Sequence, residues 1–334
     1  ISGGWKELAR TTLGSTGDTI SVGSLTDKRY YMFLSDFRGS GGATSCYHRF
    51  GNGSVETSGY SRRRSIDGST PDSTNVSNAY GTYFGSAGTG QSGFGVLYGA
   101  NYSSKEKLFL GHGLNNTDGT GAGTAPQRLE NVGKLAYTSN VIDIAQIANI
   151  GVGSYASDSE LVVLGWDPDD THTTNFWEEL ASVNGDGTAD FDTGTFTAKK
   201  YLWIQAFLDR SSNSNNTQFQ VGNSTLDTGS NYARRRNENG GSDETGTSEA
   251  YMNMATYSTK EFHNFFVVNN SANEKLFICH SNLGGTAGAG NAGNRLEAVY
   301  KWANTSNQIN IFGVNSGGAN TLSSSSQIKV WGSD

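Results

Sequence analysis

Two histidines, His112 and His280, close two nearly identical segments, residues 106–112 (EKLFLGH) and 274–280 (EKLFICH). An imidazole is a common general base and metal ligand. Neither histidine has a second His at ligand spacing, however, and no Ser-His-Asp order or nucleophile elbow surrounds them, so both read as structural. Paired carboxylates in a glycosidase-like context are equally hard to find. The richest oxygen cluster, residues 184–192 (NGDGTADFD), offers Asp186, Asp190 and Asp192 as hard ligands of the kind Ca²⁺ prefers. It lacks the spacing and closing Glu of an EF-hand loop, and an acidic turn is the plainer reading. Glycine-rich residues 119–125 and 284–293 lack the Gly-Lys-Ser/Thr ending of a phosphate cradle. No cofactor, no metal and no catalytic residue is expected.

The arginine triplets Arg62-Arg63-Arg64 and Arg234-Arg235-Arg236 are more distinctive. In a strand, the outer two of each triplet share one face and the middle one takes the other. The forked guanidinium suits an anion, a glycan or a subunit interface. The alternative is an ion-pair ladder with strand carboxylates such as Glu130 and Glu297. Tryptophans offer a sugar-stacking platform, yet Trp302 corresponds to Leu135, Trp331 to Leu164 and Trp203 to Met32. A stacking site needs a π-face, whereas a core position needs only apolar volume, so these substitutions favour packing. Trp166, whose counterpart is Ser333, is an interface candidate beside the linker. Tyr83 and Tyr257 are the loop aromatics a glycan would use.

Those correspondences exist because the chain repeats itself. Residues 121–142 (GAGTAPQRLENVGKLAYTSNVI) recur as 288–309 (GAGNAGNRLEAVYKWANTSNQI), and Trp5-Lys6-Glu7-Leu8 recurs as Trp177-Glu178-Glu179-Leu180. The offset falls from 172 at Arg62/Arg234 to 167 at Arg128/Arg295, which places the extra residues in surface loops of the first copy. The domains run over 1–167 and 176–334, joined by a polar linker, 168–175. Apolar runs are short and separated by Gly, Asn and Ser. Residues 295–302 alternate with a period of two, and residues 107–110 and 275–278 read as short buried strands. Residues 142–150 come nearest to a helical stripe, and their copy breaks it. With 45 glycines in 334 residues and only 16% charged side chains, the expected class is all-β: two tandem jelly-roll-like β-sandwich domains from an internal duplication.

A net charge of −7 argues against nucleic acid as a partner. No apolar run is long enough for a membrane-spanning helix. Cys46 and Cys279 occupy non-equivalent positions, so two buried free thiols are expected in place of a disulfide framework. Ile1 is not a start methionine, which leaves the question of a leader open. Asn75, Asn101, Asn223 and Asn304 match the glycosylation pattern as often as chance allows in so polar a chain.

The combined pattern W-[KE]-E-L, K-[KR]-Y, Y-x-R-R-R, E-K-L-F, G-A-G-x-A-x-x-R-x-E and T-S-N resembles a repeat domain of structural proteins from marine bacteriophages and related environmental viruses. The resemblance spans nearly the whole chain, twice. It implies a non-enzymatic virion component (a capsid decoration, spike or tail-associated protein) at the virion surface or outside the cell. Its partners would be other copies of itself or capsid and tail proteins. The alternatives are a secreted glycan-binding module, with a host-surface glycan as ligand, and an extracellular filament subunit.

Overall fold

A computed structural model describes residues 4–212, 215–255, 259–285, 287–318 and 320–334, of which 74–78 are described by backbone alone. The short alternating runs form antiparallel strands, and no helix among the described residues is long and apolar enough to cross a membrane. Tyr257 lies outside the described residues.

The chain folds as two β-sandwiches with the same strand order. In the first, the large sheet runs Lys6–Thr12, Glu160–Trp166, Tyr30–Ser40, Ser92–Ala100, Lys107–Asn115, Gln127–Leu135, Tyr60–Ile66 and Asp72–Asn78. The second repeats it strand for strand from Glu178–Asn184, through Gln327–Ser333, Tyr201–Asp209, Lys260–Val268, Lys275–Leu283, Asn294–Trp302 and Tyr232–Glu238, to Glu244–Glu249. Each large sheet faces a smaller one centred on Thr44–Asn52 or Gln218–Asn223. The segment nearest to a helical stripe contributes the strand Ile144–Ala148 to the first small sheet. The protein is therefore all-β, two tandem jelly-roll-like sandwiches from a duplication.

The two compact units are Ile1–Thr117 with Gln127–Phe176, and Asp118–Pro126 with Trp177–Asp334. The reading of an unbroken first domain to residue 167 is thus corrected at Asp118–Pro126, whose backbone is hydrogen-bonded within the second unit. Residues 168–175 belong to the first unit, where Asp170 pairs with Lys28 and accepts from the Asp167 amide.

Each core lies between its two sheets, with Phe33, Phe50, Leu97 and Phe109 at the centre of the first and Phe219, Phe265, Phe277 and Phe312 at the centre of the second. Cys46 and Cys279 are buried free thiols, and burial pushes Cys279 up to about 12. One clamp is common to both. The Tyr60 hydroxyl bonds the Phe50 N–H and C=O at 2.7 and 2.8 Å, and the Tyr232 hydroxyl bonds those of Val221 at 3.0 and 2.9 Å. The repeated Tyr-x-Arg-Arg-Arg motif therefore starts with a bolt between the sheets. Each core also holds one edge-to-face His–Phe pair, His48 on Phe84 at 4.9 Å and His263 on Phe219 at 5.0 Å. The imidazole sits on opposite sheets in the two copies. Where the second copy has Glu261, His263 and Ser281, the first has Gly93, Gly95 and Gly113, roofed by Phe37 and Phe84. A Cβ at Gly95 would fall 2.0 Å from the Phe84 ring.

Two outcomes follow. Tyr60→Phe and Tyr232→Phe each leave buried backbone groups unpaired, and each should destabilise its own domain by about 1–3 kcal/mol in calorimetry. His48 is fully buried, and burial lowers its pKa to about 3. The unfolded chain, titrating near the ordinary histidine value of about 6.5, binds a proton that the folded state refuses. Stability of the first domain is thus lost as pH falls from the unfolded value towards the folded one, by about 3–5 kcal/mol in total. The difference between wild type and His48→Gln should show that slope; parallel pH profiles would contradict it.

Candidate functional site on the outer sheet face

Strand register decides which side chains share the outward face of each large sheet. In the first unit one cross-strand row runs Leu164, Met32, Tyr98, Leu110, Val132 and Arg63. The next row on the same face runs Trp166, Tyr30, Ala100, Leu108 and Lys134. In the second unit the matching rows are Trp331, Trp203, Phe266, Ile278, Val299 and Arg235, then Ser333, Tyr201, Val268, Leu276 and Lys301. The two faces are chemically similar, and they differ in cover.

In the first unit Leu108, Leu110 and Val132 are 57%, 50% and 49% exposed. The expectation that residues 107–110 form a buried strand therefore holds only for alternate positions: Lys107 and Phe109 point inward and the leucines outward. Two shallow depressions flank the leucines. One, of about 400 Å³, is lined by Trp5, Tyr30, Tyr98, Leu110 and Trp166. The other, of about 420 Å³, is lined by Arg62, Arg63, Val132 and Lys134. Trp166 stacks on Tyr30 at 5.5 Å, and Trp5 leans on Tyr98 at 6.3 Å. In the second unit Leu276, Ile278 and Val299 are 0%, 2% and 2% exposed. There the segment Asp118–Pro126 is bound: Lys301 donates to the Gly119 carbonyl at 2.9 Å, Arg235 to the Pro126 carbonyl at 2.9 Å, and the Ser248 amide to the Ala122 carbonyl at 2.7 Å. The Gly121 amide donates to the Glu274 carboxylate, which lies 3.8 Å from Lys301. Burial lowers the Lys301 pKa, opposed by the Glu274 charge.

The arginine triplets divide as their alternation requires, the middle residue outward and the flanking ones inward, and their partners differ between copies. Arg234 takes Glu249 at 2.9 and 3.1 Å and Glu244 at 3.0 Å, and Arg236 takes Glu244 at 2.7 Å. Arg64 pairs with Asp72 and lies over the Tyr83 ring, whereas Arg62 lies over Tyr47, and its buried Nε and Nη1 have no partner among the described residues. Burial lowers the Arg62 pKa. Glu130 and Glu297 pair with Arg128 and Arg295. Tyr83 belongs to the strand Tyr83–Ala87, with its ring held between Tyr47 and Arg64, so the expectation of a loop aromatic at this position is corrected.

Trp302 is a core residue like Leu135, whereas Trp203 and Trp331 stand on the outer face, 5.2 Å apart, with Trp203 stacked on Phe266. Equivalence thus carries shared burial for Trp302 and Leu135, but only shared facing for Trp331 with Leu164 and Trp203 with Met32, whose tryptophans are half-buried. Asp186 caps a turn by accepting from the Thr188 amide and hydroxyl, which lower its pKa, and Asp192 accepts from the Gly194 amide. Asp190 is exposed on Asp190–Asp192. No group of three metal-binding side chains occurs among the described residues. Asn101, one of the glycosylation-pattern matches, is buried and accepts from the Ile142 amide at 2.7 Å.

A polar constellation that sequence reading misses lies in the second core. His263 Nδ1 is 2.7 Å from the Ser281 hydroxyl, and its Nε2 is 3.0 Å from Glu261, which also binds Arg210 and Thr217. Burial raises the Glu261 pKa, but His263, Arg210 and Thr217 outweigh it, and the net direction is down. Ser, His and Glu at these distances resemble a hydrolase triad with the ring nitrogens in opposite roles. Ser281, His263 and Glu261 are 7%, 0% and 1% exposed, which leaves no solvent-facing nucleophile. Only the Glu-x-His alternation in Lys260–Val268 hinted at it, since the serine comes from the neighbouring strand.

No protein-family model and no characterised relative matches the chain. Solved structures similar to it include the LG1-3 region of the laminin alpha2 chain, at 10% identity over 99% of this chain and 62% of that one, with a TM-score of 0.22. Domains LG4-5 of the mouse laminin alpha1 chain align at 11% identity over 99% of this chain and 90% of that one, with a TM-score of 0.20. Likeness at this level carries no argument about function.

If the buried constellation is scaffolding, Arg210→Met strands the Glu261 charge and should destabilise the second domain by about 3–5 kcal/mol, while a fluorophosphonate probe leaves Ser281 of the folded wild type unlabelled. Labelling of Ser281 would refute this.

Proposed function

We propose that the protein is a non-enzymatic structural subunit that works through protein–protein contact at the outer face of its first large sheet. The observation that carries this is the half-exposed trio Leu108, Leu110 and Val132, beside an aromatic-lined depression, on a face whose counterpart in the second unit is buried. Exposed apolar clusters of this kind mark contact sites in soluble proteins. Arg63, Tyr98 and Trp166 around it belong to the residue types enriched at binding hot spots. The resemblance to phage structural repeats supplies the setting: a capsid decoration, spike or tail-associated protein at the virion surface, meeting its own copies or a capsid partner.

The aromatic depression favours a second reading, a secreted glycan-binding module, because Trp5, Tyr30, Tyr98 and Trp166 present ring surface such as sugars stack on.

The two readings separate on substitution. Leu110→Asp places a carboxylate amid the apolar trio without touching the core, so assembly, followed by light scattering and electron microscopy, should weaken about tenfold or more at unchanged melting temperature. Trp166→Ala with Tyr98→Ala should abolish retention on a glycan array only if the second reading holds. Assembly untouched by Leu110→Asp would remove the first.

A further inference from the structure

The face left open in the first unit is a copy of one that is filled in the second, and the filler is itself part of the repeat. Asp118–Pro126 contains Gly-Ala-Gly-Thr-Ala-Pro (121–126), and the second copy carries Gly-Ala-Gly-Asn-Ala-Gly at 288–293, joining Lys275–Leu283 to Asn294–Trp302. We infer that residues 288–293 of one molecule seat on the first-unit sheet face of the next, so that the chain assembles head to tail with a second copy of itself. This rests on the proposed structural role and names its partner.

Three observations support it. First, the acceptor groups are duplicated residue for residue. Lys301, Glu274 and Arg235, which bind the segment in the second unit, correspond to Lys134, Glu106 and Arg63. Lys134 and Glu106 already form the equivalent ion pair at 3.0 Å, but in the open, each close to half exposed. Arg63 is exposed and without a side-chain partner among the described residues. Beneath them Leu108, Leu110 and Val132 match Leu276, Ile278 and Val299.

Second, the hydrogen bonds that hold the filler use its backbone: the Gly119, Ala122 and Pro126 carbonyls and the Gly121 amide. The changes Thr124 to Asn291 and Pro126 to Gly293 leave the recognised backbone groups of 121–126 in place, because any residue supplies a carbonyl, whereas the Asp118 carboxylate, 4.0 Å from Arg235, has Gly285 as its counterpart. The Ser248 amide that meets Ala122 comes from the edge strand Glu244–Glu249, and the first unit presents a matching edge strand, Asp72–Asn78.

Third, the donor is free for the role. Gly288, Ala289, Gly290 and Asn291 are all exposed, and a Cβ at Gly290 would meet nothing within 4 Å. A donor loop and an acceptor face at different places on one molecule make a heterologous contact, which propagates into an open chain unless its rotation closes a ring.

The test uses two variants of the full chain. The donor variant lacks residues 286–291, leaving Gly284-Gly285-Ala292-Gly293 as an ordinary hairpin turn. The acceptor variant carries Leu110→Asp and Val132→Asp. Both are checked for wild-type melting before use, and Leu110→Ser replaces the double substitution if that one unfolds. In analytical ultracentrifugation the wild type should form a concentration-dependent series of oligomers. Each variant alone should be a monomer, and an equimolar mixture should stop at a dimer, since one intact loop meets one intact face. If the acceptor variant loses assembly while the donor variant keeps it, the face serves another partner, and this inference fails while the structural role stands. Oligomers that persist in both variants would overturn the inference and the structural role together. A wild type that stays monomeric at millimolar concentration would overturn the self-assembly, leaving the face to a different partner.

Discussion

A β-sheet has two faces, and a sandwich buries only one of them. Everything distinctive here follows from how the outer face of each large sheet is treated. In the second unit that face carries Leu276, Ile278, Val299 and a lysine, Lys301, all of them buried. A lysine in such a place needs acceptors, and it finds the Gly119 carbonyl with Glu274 nearby. The glycine-rich segment supplies carbonyls and an amide at close approach because small residues let its backbone lie flat against the sheet. Apolar burial and charge neutralisation are thus met by one short stretch of chain.

The first unit has the same outward residues and leaves them in solvent. Leucines and a valine half exposed in a cluster are a standing invitation to contact, and the Glu106–Lys134 pair is weak there because water screens it. Covering that pair would strengthen it, provided the cover brings an acceptor for the lysine and a donor for the glutamate. The inferred loop of a second copy, 288–293, would offer the glutamate the amide of Gly288, the counterpart of Gly121, and carbonyls along its backbone.

The cores show how much chemistry a duplicated scaffold can exchange without altering topology. The second core spends its central volume on an Arg210–Glu261–His263–Ser281 network, and the first fills the same space with phenylalanine rings over glycines. A buried ion pair of this kind is costly to break but not intrinsically more stabilising than apolar packing. Two solutions with one strand order show that the shared topology does not itself require the network.

The sequence by itself determined the duplication, the all-β class and, through period-two alternation, which arginines of each triplet share a face. Those are local properties, set by neighbours along the strand. It also misjudged local matters where alternation met a short apolar run: residues 107–110 read as buried because 108–110 are apolar, yet Leu108 and Leu110 face out while Lys107 and Phe109 face in. Only the tertiary structure decided that Asp118–Pro126 packs within the second unit, that Arg62 and Arg234 meet different partners, and that Glu261, His263 and Ser281 converge. The reason is physical. A residue's facing is fixed by the pleat of its own strand, but its cover is supplied by chain that lies far away in sequence, and two copies of the same pattern can be covered differently.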